Sequence, residues 1–359
     1  MSSKARLKEL QHDLDGLLPS SDTAPDASRG AGSRRAGSRS AGSTGQRHRG
    51  RSAEAPTQIP PRGWKDVAWR SWEEISAENL FLISGGVTYA ILLALFPGLA
   101  ALVALYGLAF DARQIEQQVD ALSGVLPEQT RELLSGQLHS LVQSSQGALG
   151  FAAIAGILIA IWSASRGMSG LITAINIAYI EKESRSFIRL NLMAIGLTLG
   201  LLVGGIIAIA LVAVLPAAVQ LLDLGGATKW LLMLVQWPLL LVLVMSGLAV
   251  LYRFAPNRDE PQWQWVSPGA VTATVLWIVA SVAFSVYVAN FSSYDKTYGS
   301  LGGVVVLLTW LYLSAFIVLL GAVINAQAER QTRKDSTEGA PLPMGTRNAR
   351  AADTLGGSR

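Results

Sequence analysis

The chain has 359 residues, of which half are apolar and 15% are charged, and its formal net charge is +4. It contains no cysteine, which excludes disulfides, thiolate chemistry and metal–thiolate sites. Residues 1–62 have no apolar stretch of the kind found in a secretory signal, so the first apolar block must itself direct membrane insertion. No separate soluble catalytic domain is expected.

A basic, polar arm opens the chain. Four leucines at helical spacing in residues 3–18 predict a short amphipathic helix, which either contacts a partner or the lipid surface or has no role. Residues 20–62 are rich in Ser, Gly, Ala and Arg, and the composition predicts disorder. Because aromatic residues are not interleaved, the arginines favour anionic lipid headgroups or solvent over specific nucleic acid binding.

A charged helix is predicted between the arm and the first apolar block. Trp64, Ala68, Trp72 and Ile75 share one face of this helix by their spacing. Tryptophan favours the headgroup region of a bilayer, so we interpret the helix as an interfacial anchor.

Six apolar blocks without Asp, Glu, Lys or Arg follow, and each is long enough to cross a bilayer. They lack the alternating period of barrel strands, so they are predicted to be helices. The fold class is therefore all-α: a polytopic membrane bundle of six transmembrane helices at 63–330, between a disordered basic arm at 1–62 and a disordered cytoplasmic tail at 331–359. The blocks are Leu80–Phe110, Gly147–Ser165, Leu190–Leu222, Trp230–Tyr252, Trp263–Tyr294 and Thr297–Ala328.

The positive charges predict the orientation of this bundle. Of the 29 Lys and Arg residues, 25 lie before residue 80, in 166–189, in 253–258 or after residue 328. Since cytoplasmic flanks collect positive charge, both termini are predicted to be cytoplasmic. The segment 111–146 then lies outside, where two short amphipathic helices either cover the mouth of the bundle or pack on its rim.

Glycine and proline give the spans specific features. Gly196, Gly200 and Gly204 recur at every fourth residue, a spacing that predicts close packing of the third span against another helix. Pro97 lies within an uncharged run of 31 residues and is expected to kink or break the first span. A broken helix either lines a substrate path or shapes packing.

Polar residues within or next to the spans are the candidate pathway residues, with helix packing as their alternative role. Arg166 directly follows the second block and is expected near the cytoplasmic interface, as an orientation anchor. Asn325, near the end of the last span, needs hydrogen-bond partners from neighbouring helices or from a watered path. The candidate pathway or packing residues are Pro97, Arg166, Asn176, Tyr179, Asn290, Tyr294, Tyr298 and Asn325.

Several motifs, in order, resemble the YihY/BrkB family of bacterial inner-membrane proteins over about residues 64–330. The resemblance implies a six-helix protein of poorly defined activity, regarded as a candidate transporter and linked by name to a serum-resistance factor. Where the family commonly has an acid in the last span, this chain has Val323, so no carboxylate carries protons or cations there. The matching residues are Tyr89, Phe96-Pro97, Trp162 to Gly167, Asn176, Tyr179, Tyr252 to Pro256, Pro268 to Ala270, Trp277, Tyr294, Tyr298 to Gly302 and Leu319 to Ala322.

An older label of the same family is a ribonuclease that trims tRNA ends, and the residues argue against it. Metal-dependent phosphodiester cleavage needs clustered acids or histidines. The histidines are His12, His48 and His139, and the acids near the spans lack ligand spacing. No catalytic residue, metal or cofactor is therefore predicted.

Two functions remain beside the enzyme: a transporter or lipid-handling permease, and a membrane scaffold that positions envelope partners. The kinked and glycine-rich helices with polar groups at mid-span favour transport. Convergence of the candidate residues on one cavity would strengthen transport, and their dispersal into separate helix contacts would strengthen scaffolding. The substrate and any association between copies of the chain stay open.

Overall fold

The computed structural model describes residues 49–109, 149–215, 226–290 and 300–358. Regular structure in these residues is helical, apart from one isolated β-bridge between Pro261 and Thr337. A 3₁₀ turn at Pro56–Gln58 precedes the first α-helix, and α4 continues into a π-helical turn at Ala210–Val214. The α-helices are α1 (Pro61–Ala77), α2 (Leu80–Ala109), α3 (Leu149–Ala178), α4 (Phe187–Ile209), α5 (Gly226–Phe254), α6 (Trp263–Asn290), α7 (Ser300–Glu329) and α8 (Arg350–Asp353).

Six of these helices, α2 to α7, are long and apolar enough to cross a membrane. This finding confirms the predicted all-α bundle of six spans. Large apolar side chains cover its outside, such as Leu82, which is 78% exposed, and Leu201, which is 66% exposed. Lipid tails are as apolar as leucine, so a bilayer surrounds such side chains without an unfavourable transfer.

The centre of the bundle consists of α2, α3 and α7, whose spans are the most buried. α2 packs mainly against α3 and α7, and α3 also contacts α4. α5 packs mainly against α6, and its Tyr252 donates to the carbonyl of Val318 in α7. A buried cluster at one end joins Ile172 and Ile175 of α3 to Tyr252 of α5 and Leu319 of α7. The core therefore lies toward one end of the bundle.

Glycines in α3, α6 and α7 bring helices into close contact. A Cβ on Gly167 would lie 2.6 Å from the Cβ of Ala94, and one on Gly269 would overlap the carbonyl oxygen of Gly321. No larger residue fits at these positions without a shift of the helices. The predicted close packing of α4 is not found among the described residues, where a Cβ added at Gly196, Gly200 or Gly204 would meet no atom within 4 Å.

The loops 179–186 and 255–262 lie at the same end of the bundle as residues 49–79 and 330–358, and we call it the tail-side end. Here residues 331–358, expected to be disordered, are packed. The buried guanidinium of Arg347 donates hydrogen bonds to the carbonyls of Arg333, Lys334, Leu342 and Ala352. The expectation of disorder weighed apolar content alone, whereas this polar segment satisfies its own hydrogen-bonding groups.

Part of the basic arm is also ordered, again in contrast to the expectation. Arg51 donates to the carbonyls of Arg330 and Gly356, and Ala53 and Ile59 pack against Trp265 at the start of α6. The arm is thus held by contacts distant in sequence, which its composition does not reveal. Residues 1–48, with the predicted amphipathic helix, and the outer segment 111–146 lie outside the described residues.

Candidate functional site

The structure divides the candidate residues into two groups. Asn176, Tyr179 and Asn325 lie at the tail-side end, whereas Pro97 of α2 and Arg166 of α3 lie away from that end. Arg166 and Asn176 are separated by about 15 Å along α3 at the rise of an α-helix. Three candidates lie outside the described part of the structure. They are the side chain of Asn290, at the end of α6, and the residues Tyr294 and Tyr298 between α6 and α7.

Asn176, near the end of α3, ties two loops together. Its buried amide donates to Glu183 at 2.8 Å and accepts from the backbone N–H of Asn257 at 2.7 Å. Arg185 forms an ion pair with the same Glu183 at 2.6 Å and donates to the carbonyl of Ala255 at 2.8 Å. The hydrogen bond from Arg185 lowers the pKa of Glu183. These contacts hold the loop after α3 against the loop after α5.

Asn325 joins α7 to α6. Its side chain is fully buried, its Oδ1 accepts from the backbone N–H of Gly269 at 2.6 Å, and its Nδ2 donates to the carbonyl of Val266 at 3.1 Å. Both partners lie in the first two turns of α6, next to Pro268, which has no N–H to donate. The amide of Asn325 therefore makes a helix–helix contact between α7 and α6.

A fully buried ion pair lies beside this contact. Arg258 donates to both carboxylate oxygens of Glu329, at 3.0 and 2.7 Å, and both side chains are 0% exposed. Ser336 of the tail donates to the same carboxylate at 2.7 Å. Burial lowers the pKa of Arg258, but attraction by Glu329 outweighs burial and the net direction is upward. Loss of either side chain would leave the other as an unpaired buried charge, which is strongly destabilising.

Tyr179 covers this ion pair. The centroid of its ring is 5.4 Å from the guanidinium carbon of Arg258, and the residue is buried. Its hydroxyl faces the amide of Asn325 but makes no hydrogen bond with any described residue. Burial, together with the charge of Glu329, raises the pKa of Tyr179. Tyr179 thus contributes a neutral phenol with an unused hydroxyl to the closed tail-side end.

Arg166 lies at the midpoint of the candidate span Ile154–Ala178 and not at its edge. α3 continues for twelve residues beyond it, about 18 Å at the rise of an α-helix. The side chain is exposed, and its guanidinium lies 4.5 Å from the ring centroid of Trp162. The predicted place of Arg166 at the membrane interface rested on the end of the uncharged block at Ser165, but α3 does not end there.

Pro97 lies near the same depth, on α2. Contrary to the predicted break, α2 is continuous from Leu80 to Ala109. A Cβ added at the next residue, Gly98, would lie 3.8 Å from the Cβ of Ala164, and Ala94, before the proline, packs against Gly167. Contacts with α3 on both sides of Pro97 support the helix across the missing hydrogen bond.

In the part of the chain that the structure describes, no group of three or more His, Asp or Glu residues is placed to bind a metal ion. His12, His48 and His139 lie outside this part. The pair of Arg258 and Glu329 was missed by sequence reasoning, which treated the arginine as a topology signal and the glutamate as a scattered acid. Their separation of 71 positions leaves no local pattern to find.

The sequence model of the virulence factor BrkB family matches residues 71–343. The chain is 34% identical to YfkH of Bacillus subtilis, a protein with a ribonuclease-like name, over 70% of this chain and 90% of that protein. It is 26% identical to a UPF0761 membrane protein of Idiomarina loihiensis over 74% of this chain and 95% of that protein. A UPF0761 membrane protein of Pseudoalteromonas translucida is 27% identical to the chain over 77% of this chain and 89% of that protein. No solved structure matches the chain.

Proposed function

The chain belongs to the virulence factor BrkB family of membrane proteins, and we propose that it is a permease for an anionic substrate. The observation that carries the proposal is the exposed charge of Arg166 at the midpoint of a span. A charged side chain at mid-membrane is costly in lipid, and such residues face a bundle interior or a water-filled cavity. Arg166 has no ion pair with any described residue, so water or an anion supplies the missing partner.

Polar side chains extend from Arg166 along one face of α3. Trp162, Arg166, Ser169 and Thr173 follow one another at intervals of four, three and four residues, which places them on the same side of a helix. The next member of the series is Asn176, which is buried under the loop after α3. The face therefore leads from mid-membrane to the closed tail-side end.

Closure at the tail-side end supports transport by alternating access. The pair of Arg258 and Glu329, the Asn176 contacts and the tail together seal the end of this face. Buried ion pairs contribute little to stability compared with apolar packing, because desolvation offsets their attraction. In the proposal, Arg258 and Glu329 part when the tail-side end opens.

Thiol accessibility tests the path without knowledge of the substrate, because the chain has no cysteine. Arg166→Cys should react in membrane vesicles with a small, charged, water-soluble thiol reagent, and Thr173→Cys, which keeps Arg166, should react too. Val275→Cys is the control, since Val275 is 53% exposed on an apolar face near the middle of the α6 span. Val275→Cys should stay unreactive. Unreactive cysteines at residues 166 and 173, or equal reaction at residue 275, would overturn the path.

A membrane scaffold is the second candidate function. It is supported by the helix and loop contacts of Asn325 and Asn176, together with the apolar surfaces of α4, α5 and α6. Unreactive cysteines at residues 166 and 173 would favour this function. The proposal includes no nuclease, since the described residues present no metal ligand set.

We further propose the bacterial inner membrane as the location, with the tail-side end in the cytoplasm, because that end carries the large excess of Lys and Arg. An impermeant thiol reagent applied to intact cells distinguishes the two orientations. Ser140→Cys should react and Ser184→Cys should not. The reverse pattern would place the tail-side end outside.

A further inference from the structure

α1 lies across the ends of three spans. Trp64, in its first turn, packs with the cluster of Trp265 at the start of α6. Arg70, at its middle, donates to the side chain and the carbonyl of Gln327 near the end of α7. Its last residue is followed by a sharp turn at Asn79, with φ of 50°, and then by α2. Contact with the ends of α6, α7 and α2 places α1 at the level where the spans leave the hydrocarbon.

One face of α1 is basic and aromatic. Arg62, Lys65, Trp69 and Trp72 follow at intervals of three, four and three residues and share this face. Arg62 and Lys65 are exposed and make no hydrogen bond or ion pair with any described residue, and Trp72 is 70% exposed. Exposed tryptophan beside unpaired Lys and Arg is typical of surfaces at the headgroup level.

The same face contributes to an open pocket of about 290 Å³ lined by Arg49, Arg62, Lys65, Asp66 and Trp69. Arg49 donates from one nitrogen to both carboxylate oxygens of Asp66 at 3.0 Å, which neutralises the acid of the pocket. Arg62 and Lys65 then leave the pocket with an excess of two positive charges. The pocket is therefore suited to an anionic group that has several oxygen atoms, such as a phosphate.

We propose that this pocket binds the phosphate of an anionic phospholipid headgroup. Arg62 and Lys65 donate charge-assisted hydrogen bonds to the phosphate oxygens, and the tryptophans of the same face contact the boundary between headgroups and acyl chains. A lipid is favoured over a soluble phosphate or a nucleic acid because the pocket lies at the level of the span ends, next to an exposed Trp72. The proposal does not depend on transport through Arg166.

Native mass spectrometry of the full chain in detergent tests the proposal by counting bound phosphatidylglycerol and phosphatidylcholine. The unaltered chain should retain phosphatidylglycerol preferentially. In the double variant Arg62→Gln with Lys65→Gln, phosphatidylglycerol affinity should fall by roughly 30-fold, since each basic residue near an anionic surface contributes a several-fold effect. The matched control is Lys182→Gln with Arg189→Gln, which removes two exposed positive charges elsewhere at the tail-side end and should retain the lipid.

Four results would overturn the proposal. Two of them concern the lipid: both double variants lose it equally, or the unaltered chain shows no preference for phosphatidylglycerol. The other two concern a different ligand: the pocket binds inorganic phosphate saturably without binding lipid, or Arg62 and Lys65 bind a single-stranded RNA oligonucleotide more tightly than the lipid. Thermal unfolding in detergent is recorded for every variant. An Arg62 and Lys65 variant that unfolds early is replaced by Lys65→Gln alone, which should show a several-fold loss.

Discussion

The Oδ1 of Asn325 reaches the backbone N–H of Gly269 because residue 269 has no side chain. A Cβ at this position would lie 2.6 Å from the Asn325 amide and would overlap the carbonyl oxygen of Gly321. The hydrogen bond and the close approach of α6 and α7 therefore depend on each other.

This dependence predicts that Gly269→Ala and Asn325→Leu both destabilise the bundle. Loss of the interhelical hydrogen bond should cost on the order of 1 kcal/mol, and the overlap at residue 269 should cost more. Thermal unfolding in detergent measures both effects. Gly200→Ala, at an open position of α4, is the control and should leave the midpoint unchanged. Asn325→Leu can also be combined with Arg166→Cys. If Asn325→Leu has normal stability but the cysteine at residue 166 no longer reacts, Asn325 belongs to the path instead.

The six spans could be predicted from sequence because a bilayer requires long apolar helices, and this requirement is visible in local composition. The depth of Arg166 could not be predicted by the same rule. A single charge ends an uncharged block, but α3 continues past it, with Gly167 and Gly170 packed against α2. Packing between helices, which local composition does not report, keeps the charge inside the span.

The tail-side end shows a second limit of sequence reasoning. Arg258 and Glu329 come from segments that are remote in sequence, and Arg51 and Arg70 bind backbone carbonyls, which every residue possesses. Such pairings depend on the tertiary arrangement and leave no periodic signal. Composition therefore predicted disorder for residues 49–62 and 331–358, where polar groups satisfy one another.

The packed part of the arm predicts different outcomes for two truncations. Removal of residues 1–45 should leave the unfolding temperature unchanged, because none of the described tail-side contacts is lost. Removal of residues 1–60 deletes Arg51, Ala53 and Ile59, which contact Arg330, the tail and Trp265, and should lower the unfolding temperature. Detergent gel filtration with a thermal scan compares the two. Equal behaviour of the two truncations would contradict the arm contacts.

The tail depends on a glycine that contacts a buried arginine. Arg70 donates to Gln327, Gln331 and the carbonyl of Gly357, and burial lowers its pKa to about 10. A Cβ on Gly356 would overlap the Arg70 guanidinium, whereas one on Gly357 would meet nothing within 4 Å. Gly356→Ala should therefore release the tail to proteases, and Gly357→Ala should not. Equal protease resistance of the two variants would show that Arg70 rearranges without loss of the tail.

Acid should loosen the tail through Asp335. Burial raises the pKa of Asp335, but the N–H groups of Leu342 and Thr337 donate to its carboxylate and outweigh burial, so the net direction is downward. Because the pKa is lower in the folded state, the ionised carboxylate stabilises the folded tail at any pH above the unfolded-state pKa of about 3.9. This stabilisation is lost as the pH falls from that value through the folded-state pKa.

Global unfolding is a poor measure of this effect, because burial raises the pKa values of Glu74 and Glu181, whose protonation favours the folded state as pH falls. Amide hydrogen exchange at Leu342, corrected for its intrinsic pH dependence, isolates the tail. Protection of this amide should decrease below about pH 4 in the unaltered chain. Asp335→Asn should show weaker protection at neutral pH and little further decrease in acid. An unchanged acid response in Asp335→Asn would assign the response to another group.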